Sequence, residues 1–336
     1  MGNKKVPAIT VIVPIYNASR DVEKCVDALK RQHFVDYEVI IIDDGSSDDS
    51  YEKCKRLIND DLRFKIIRQE NRGAGGARNR GIEEAQSDFL CFVDVDDFVD
   101  EDYLRNFFLQ IEQREVDLVM QSYQMVSSKE KKLKKLKDRE YHVPNDFDAF
   151  FTDVEILGFC APFCKLFRRS VLREMEFFFN TFATCGEDYD FFLRYLACCK
   201  VVLCNSAVSY YYKIHSESLS RRRHAFVTEW NSFLVFYETS TNFSQKYNVP
   251  HLILQMNNNI AYFIVARLWP SLYGGGLSRL ERKTAFYRIT EEQVKIVNDF
   301  YTSTNVVEKV LLFLWKHRLF GIFDSFMIII KRVMNR

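Results

Sequence analysis

The chain has 336 residues, with 47 Lys+Arg against 46 Asp+Glu and a formal net charge of +1. That length buries a sizeable core, as one large domain with an appendage or as two domains. The near-balanced charge gives no global drive toward nucleic acid. Most of the nine cysteines sit in apolar context (Cys91, Cys160, Cys198, Cys199, Cys204). No CxxC pair or Cys/His ligand spacing is present, and MGNKKVPA lacks a signal-peptide core, so the reading is a reduced, cytosolic protein with packing cysteines. Met1-Gly2 begins like a myristoylation signal, but Val6 stands where that signal needs Ser or Thr.

Taken in order, Ile9–Val13 is a β-branched run ending at Pro14 and predicts a buried strand. A loop at Ile15-Tyr16-Asn17 follows. Ser19 is then expected to cap a helix of about four turns, with Val22, Val26 and Leu29 on one face. Val39–Ile42 predicts a second buried strand, leading into Asp43-Asp44-Gly45-Ser46-Ser47. Gly45 suits a positive φ, and Ser46 or Ser47 with Asp48 and Asp49 makes a helix start. Phe64–Ile67 is a third strand; Asn71–Asn79 is a glycine-rich lead into a helix reaching about Ala85. Phe89–Val93 is a fourth strand, five apolar residues that stop at Asp94, Asp96 and Asp97.

Alternating strands and helices with short links predict an α/β fold with a doubly wound, mainly parallel sheet. In such a sheet the loops holding Asp43/Asp44, Asn71–Asn79 and Asp94–Asp97 emerge at one edge and converge. A D-x-D pattern alone says little, since ordinary usage yields roughly one by chance in a chain this long. This chain has four, and only Asp94/Asp96 caps a buried strand. Leu118–Val126 reads as a further strand, and the charge run Lys129–Arg139 as a solvated loop or short exposed helix, or else as a basic rim for an anionic acceptor.

VIVPIYN (Val11–Asn17), IIIDDGSSDDS (Ile40–Ser50), QENRGAGGARNRGI (Gln69–Ile82), FVDVDD (Phe92–Asp97), KLFRRSVL (Lys165–Leu172), GEDYDFF (Gly186–Phe192) and YYYKIHSESLS (Tyr210–Ser220) occur in that order. Together they resemble the family 2 inverting glycosyltransferases of the GT-A fold, over residues 7–222. The resemblance implies a Rossmann-like, mainly parallel sheet flanked by helices, with a C-terminal helical extension. The implied catalytic domain spans 1–225, with a nucleotide-sugar half (1–100) and an acceptor half (101–225), before a helical region at 226–336.

The resemblance further implies a UDP-sugar donor, Mn²⁺ or Mg²⁺, and one in-line displacement with inversion at the anomeric carbon. Departing diphosphate needs its developing charge neutralised, and a hard cation held by few carboxylates does this. On that reading Asp96 is a first ligand, and Asp94 faces the ribose or the metal's water shell; otherwise both are solvated turn carboxylates. Asp44 resembles the acceptor for uracil N3–H, with helix capping as the plain alternative and Asp43 able to exchange roles. Pro14, Tyr16 and Asn17 would wall the nucleotide pocket, unless Tyr16 is core. Arg78 would meet uracil or phosphate, and Asn71 would fix its loop.

An inverting transfer also needs a general base. Asp188 is assigned to it with Glu187 orienting the acceptor, though the reverse assignment is open, and an acidic pair is also an ordinary helix start. Asp190 reads as structural. His215 falls where the family places a histidine near diphosphate or metal, although a lone histidine is usually neither ligand nor catalyst. Lys213 would reach the diphosphate, less firmly than the arginine common there. Lys165 matches the family without a role that follows from chemistry.

Residues 226–336 carry helical patterns broken by Pro250, Pro270 and Gly274-Gly275-Gly276. In the tail at 306–336, Val307, Val310, Leu311, Leu314, Leu319, Ile322, Phe323, Phe326, Ile330 and Val333 form one amphipathic stripe rich in Lys and Arg. No uncharged stretch reaches the roughly 20 residues of a membrane span. An in-plane helix at the inner face of the cell membrane fits, as does a helix packed on the protein or on a homodimer partner. The acceptor is expected to be a glycan or lipid-linked glycan of a surface polysaccharide. A sugar-nucleotide pyrophosphorylase is a competing enzyme class, and a degenerate, membrane-associated assembly partner a competing non-enzyme.

Overall fold

Apolar β-branched runs build the centre of the molecule. A computed structural model describes residues 6–334 apart from 176–177, 181–185, 215–224, 275, 289–294 and 296–304. Its contacts divide the chain into two compact units, Met1–Ser218 and Leu219–Arg336.

In the first unit β1 (Ile9–Ile15), β2 (Tyr37–Asp43), β3 (Phe64–Arg68) and β4 (Phe89–Phe92) pair in parallel in the order β3-β2-β1-β4. The helices between them are α1 (Val22–Lys30), α2 (Ser50–Ile58) and α3 (Gly73–Glu84). Beyond lie β5 (Phe98–Val99), α4 (Tyr103–Ile111), β6 (Leu118–Val126), β7 (Lys131–Lys134), β8 (Arg139–His142), α5 (Phe147–Asp153) and α6 (Ile156–Phe159). The unit ends with β9 (Lys165–Arg168), α7 (Arg169–Leu172), α8 (Glu187–Cys198) and β10 (Val201–Lys213).

β9 runs antiparallel between β4 and β6, and β6 pairs in parallel with β10. The two reversals cancel. β1 to β4, β6 and β10 therefore share one direction, and the carboxyl ends of β4 and β10 reach the same rim. The parallel α/β class expected from the sequence is present, with a helical C-terminal region after it.

Four local expectations are corrected. β1 runs on to Ile15, because the donor that Pro14 lacks falls beyond Ile12–Phe92, the last β1–β4 pair. α1 starts at Val22 after Asp21 and is nine residues long; Ser19 gives its N–H to Asp48 (3.2 Å) and caps no helix. The run at 129–139 is strand at Lys131–Lys134 and again from Arg139, with loop between, β7 pairing the open flank of β6 and β8 that of β10. Its charges are answered from α5 and its surroundings: Lys134 reaches Glu155 (2.7 Å), and Lys137 and Arg139 reach Asp153 (2.9 and 2.7 Å). A charged strand suits an edge position, where it discourages pairing with other chains. Pro270, finally, does not break its helix, as the second unit makes clear.

That unit is helical where described. α9 (Phe226–Tyr247) ends at left-handed Asn248, and α10 (Pro250–Phe263) opens on proline, which a first turn tolerates. α10 continues through a π turn at Ile264–Leu268 into α11 (Trp269–Gly274). The Trp269 N–H reaches Ile264 O across that turn, so the helix resets its hydrogen bonds just before Pro270 and passes through it. After α12 (Arg279–Arg288) come helices at Val306–Lys316 and Phe320–Met334. Trp269 meets Trp315 and Phe323 edge to face (centroids 5.4 and 5.2 Å). The expected single tail stripe is split at His317–Leu319: Leu311, Leu314 and Phe323 are buried, whereas Val307, Val310, Leu319 and Ile322 are exposed.

Gly81 shows how closely α3 lies on the sheet, since a Cβ there would stand 2.3 Å from Ile12 Cγ2. Gly81→Ala should cost about 1–3 kcal/mol by overpacking. In a urea-unfolding double-mutant cycle, Ile12→Ala should cost less in the Gly81→Ala background than alone; strict additivity would show that the contact does not limit the packing.

Candidate active site

Loops at the carboxyl rim of β1, β2, β4 and β10 are tied to one another by hydrogen bonds. Asn17, left-handed at φ 49°, accepts from the N–H of Ser47 (2.8 Å) through Oδ1, and its own N–H donates to Ser46 Oγ (2.9 Å). Asn17 thus joins the loops after β1 and β2. Tyr16 is 53% exposed beside it, which removes the core reading of that ring, and Pro14 is half-buried.

Asp44 is buried, and its Oδ1 accepts from Gln69 Nε2 (2.7 Å) and from the Arg72 N–H (2.9 Å) at the start of α3. Its Oδ2 accepts no hydrogen bond among the described residues. Asp43 is turned differently, facing Arg68 Nε at 3.2 Å and the N–H of Ser46 at 3.3 Å. Asn71 Oδ1 accepts from the Gly73 N–H (3.3 Å), closing the turn into α3. The glycine-rich segment is itself the first turns of α3, not a loop ahead of it.

Arg78, six residues after Arg72, carries the main finding. Its guanidinium is buried and donates to Asp188 Oδ1 from Nη1 (3.0 Å) and to Asp94 Oδ1 from Nη2 (3.2 Å). Both terminal nitrogens of the fork thus face carboxylates, and the buried Nε has no hydrogen-bond partner among the described residues. Phe179 lies under it, with Arg78 Cζ 5.4 Å from the ring centroid, and stacks on Phe191 of α8 at 3.9 Å. Burial opposes the Arg78 charge, but Asp188 and Asp94 more than offset it and hold the group charged.

α8 begins at Gly186, whose φ of 88° a side chain would strain, and places Glu187 and Asp188 in its first turn. Burial raises the Asp188 carboxyl above its ordinary range while Arg78 pulls it back. Asp188 Oδ2 accepts no hydrogen bond among the described residues. Burial, then the Asp188 charge, pushes Glu187 up to about 7. Asp190 faces away and pairs with Arg194 at 2.8 Å.

The turn after β4 is fixed by residues that sequence reasoning left without a role. Tyr210 of β10 donates to Asp97 Oδ2 (2.6 Å) and accepts from the Asp94 N–H (3.3 Å). Asp97 Oδ1 accepts from the N–H of Lys213 (2.8 Å). Burial, then the charge of Asp94, raises Asp97 well above the carboxylate range. The available signal was a further acid in FVDVDD and a tyrosine run opening the last motif. Lys213 Nζ is 3.5 Å from Asp21. Lys165 gains a role: its buried Nζ donates to Ala161 O (2.5 Å) and Phe163 O (3.4 Å), bracing the loop before β9, and burial pulls it down to about 8. His215 lies outside the described residues.

Among the described residues no group of three or more His, Cys, Asp and Glu forms a ready-made metal cage. The donor set at the end of β4, Asp94 with half-buried Asp96, fits a hard cation that completes its shell with diphosphate oxygens and water.

Residues 10–176 match the model of glycosyl transferase family 2. The chain is 30% identical over 252 residues to the Bacillus subtilis (strain 168) protein EpsH, named as a glycosyltransferase, covering 72% of this chain and 70% of EpsH. It is 27% identical to the succinoglycan biosynthesis protein ExoO of Rhizobium meliloti (strain 1021), covering 65% of this chain and 64% of ExoO. Among solved structures, S. aureus TarS 1–349 in complex with UDP-GlcNAc superposes with a TM-score of 0.68 at 18% identity, over 95% of this chain and 90% of that one.

Removing the Arg78 charge leaves two carboxylates facing each other. Arg78→Met should destabilise the first unit by about 2–4 kcal/mol in chemical denaturation, near the penalty for stranding a buried charge. Adding Asp94→Asn should recover part of that loss, and a double variant no more stable than Arg78→Met would refute the repulsion.

Proposed function

The chain belongs to glycosyl transferase family 2, and from that premise we propose that it moves a sugar from a UDP-sugar to a hydroxyl of a glycan or lipid-linked glycan in surface-polysaccharide synthesis, inverting the anomeric carbon. One observation carries the reading: the Arg78 guanidinium joins the Asp94 turn to Asp188, so the diphosphate end of a donor and a proton acceptor adjoin. Membership of the family displaces the sugar-nucleotide pyrophosphorylase alternative. The UDP-GlcNAc held by TarS supports the donor class, and the name of ExoO supports the pathway class.

Arg72 and Arg78 are six residues apart, which places the Asp44 and Asp94 ends of the site about 9 Å apart along α3. We assign Asp44 Oδ2 to the uracil N3–H, since a carboxylate oxygen suits the one donor between two acceptors on that edge. The exposed Tyr16 ring and Pro14 wall the base, and Asn17 and Asn71 hold the loops in place. Lys213, anchored to Asp97 through its backbone, offers a cation to the diphosphate. Asp96 and Asp94 would hold Mn²⁺ or Mg²⁺, which when bound supplies charge neutralisation for the departing diphosphate.

Asp188 is the general base. Its Oδ1 is fixed by Arg78, and its Oδ2 takes the acceptor hydroxyl's proton as the new C–O bond forms and the bond to diphosphate breaks. Glu187, held near neutrality in its titration, orients that hydroxyl.

With purified protein and UDP-sugars, UDP release should stop in excess EDTA and return with Mn²⁺. Full turnover in EDTA would remove the metal from the reading. Asp188→Asn should lower kcat by roughly 10²–10⁴, whereas Glu187→Gln should act mainly on the acceptor KM. The opposite split would move the base to Glu187. Both carboxyl groups titrate above their ordinary range, so they take up protons as pH falls. The acid limb of the rate should therefore lie above the ordinary carboxylate range, and an acid limb inside that range would contradict a raised-pKa base.

A further inference from the structure

We propose that the second unit carries a docking surface for an anionic phospholipid bilayer, with a basic groove that takes a headgroup phosphate. The groove lies between α12 and the chain around the start of the Phe320–Met334 helix and has a volume of about 720 Å³. Arg279, Lys283 and Arg318 line it together with Leu280, Leu319 and Ile322, and no Asp or Glu is among its lining residues. That volume is in the range of small-ligand sites. Lys283 makes no ion pair among the described residues. Arg279 stands 3.7 Å from Asp324, but that acid is buried and already held by Arg282 (2.7 Å) and Tyr273 (3.0 Å).

The two helices that flank His317–Leu319 carry similar chemistry on their exposed faces. Val306, Lys309, Val310, Phe313 and Lys316 follow helical spacing, and all are exposed. Leu311, Leu314 and Trp315 on the same helix are buried, so the outward apolar residues are not surplus core. Ile322, Ile329 and Arg332 are likewise exposed on the last helix, and Leu280 is 74% exposed at the groove. Lys309 and Lys316 make no ion pair among the described residues. An apolar face alone would suit a protein partner equally. Here unpaired cations interleave with the apolar side chains, as on helices lying in a bilayer interface next to anionic lipid. No helix of the described residues is long and apolar enough to cross a membrane, so contact here is in-plane.

The test is co-sedimentation of the full chain with phosphatidylcholine vesicles, with and without phosphatidylglycerol. Binding should require phosphatidylglycerol and weaken with added salt. Lys283→Gln should reduce partitioning about fivefold, the effect of one cation at such a surface. Leu280→Ser with Ile322→Ser should also reduce it, while Leu133→Ser, an exposed leucine on β7, should not; circular dichroism melts would verify that each variant is folded. Equal partitioning to neutral vesicles, or none to either, overturns the proposal. So does a concentration-dependent dimer abolished by Ile322→Ser in a protein that ignores lipid, since the face then belongs to a second copy. The readout needs no sugar transfer, so failure here leaves the catalytic reading untouched.

Discussion

Two carboxylates far apart in sequence share one buried guanidinium. Asp94 ends the strand at the sheet centre, Asp188 begins a helix almost a hundred residues later, and Arg78 bonds both. Without the cation, burial and mutual repulsion would push both carboxyl groups toward protonation. With it, they keep their positions and one of them keeps an unoccupied lone pair. The aromatic layer of Phe179 and Phe191 below limits where Arg78 can go, so packing in the core sets geometry at the rim.

This arrangement separates roles among chemically similar groups. Asp97 lies in the same turn as Asp94 but has both oxygens engaged by β10, so it braces the turn. Asp43 and Asp44 are neighbours in sequence, yet Asp43 faces Arg68 while Asp44 anchors Gln69 and the start of α3. Asp190 is spent on Arg194. In each pair one member holds the scaffold and the other retains bonding capacity at the rim.

The strands and the convergence of their loops were legible because uninterrupted β-branched runs and the acids that end them are local signals. What stayed hidden depended on partners far away in sequence. Nothing around Arg78 in sequence announces that its guanidinium will bond both Asp94 and Asp188. The run at 129–139 read as loop throughout because charge is a side-chain property, whereas the strands at Lys131–Lys134 and from Arg139 come from backbone groups left open on β6 and β10. The tail misled in another way. Apolar spacing at i, i+3, i+4 and i+7 does not distinguish a face buried against the unit from one that looks outward, and the break at His317–Leu319 lets both occur within one apparent stripe.

Arg78 also explains why the two acids at the head of α8 need not be equivalent. A helix N-terminus stabilises anions generally, yet only Asp188 has a fixed cation at 3.0 Å. Glu187, one residue earlier, is pushed up by burial and by the Asp188 charge, with the Arg78 charge and its own backbone N–H pulling back. Burial raises both carboxyl groups above their ordinary range, and only Asp188 has an arginine hydrogen bond pulling against that rise. Two neighbouring acids at one helix start thus sit in different electrostatic surroundings, and a single arginine sets that asymmetry.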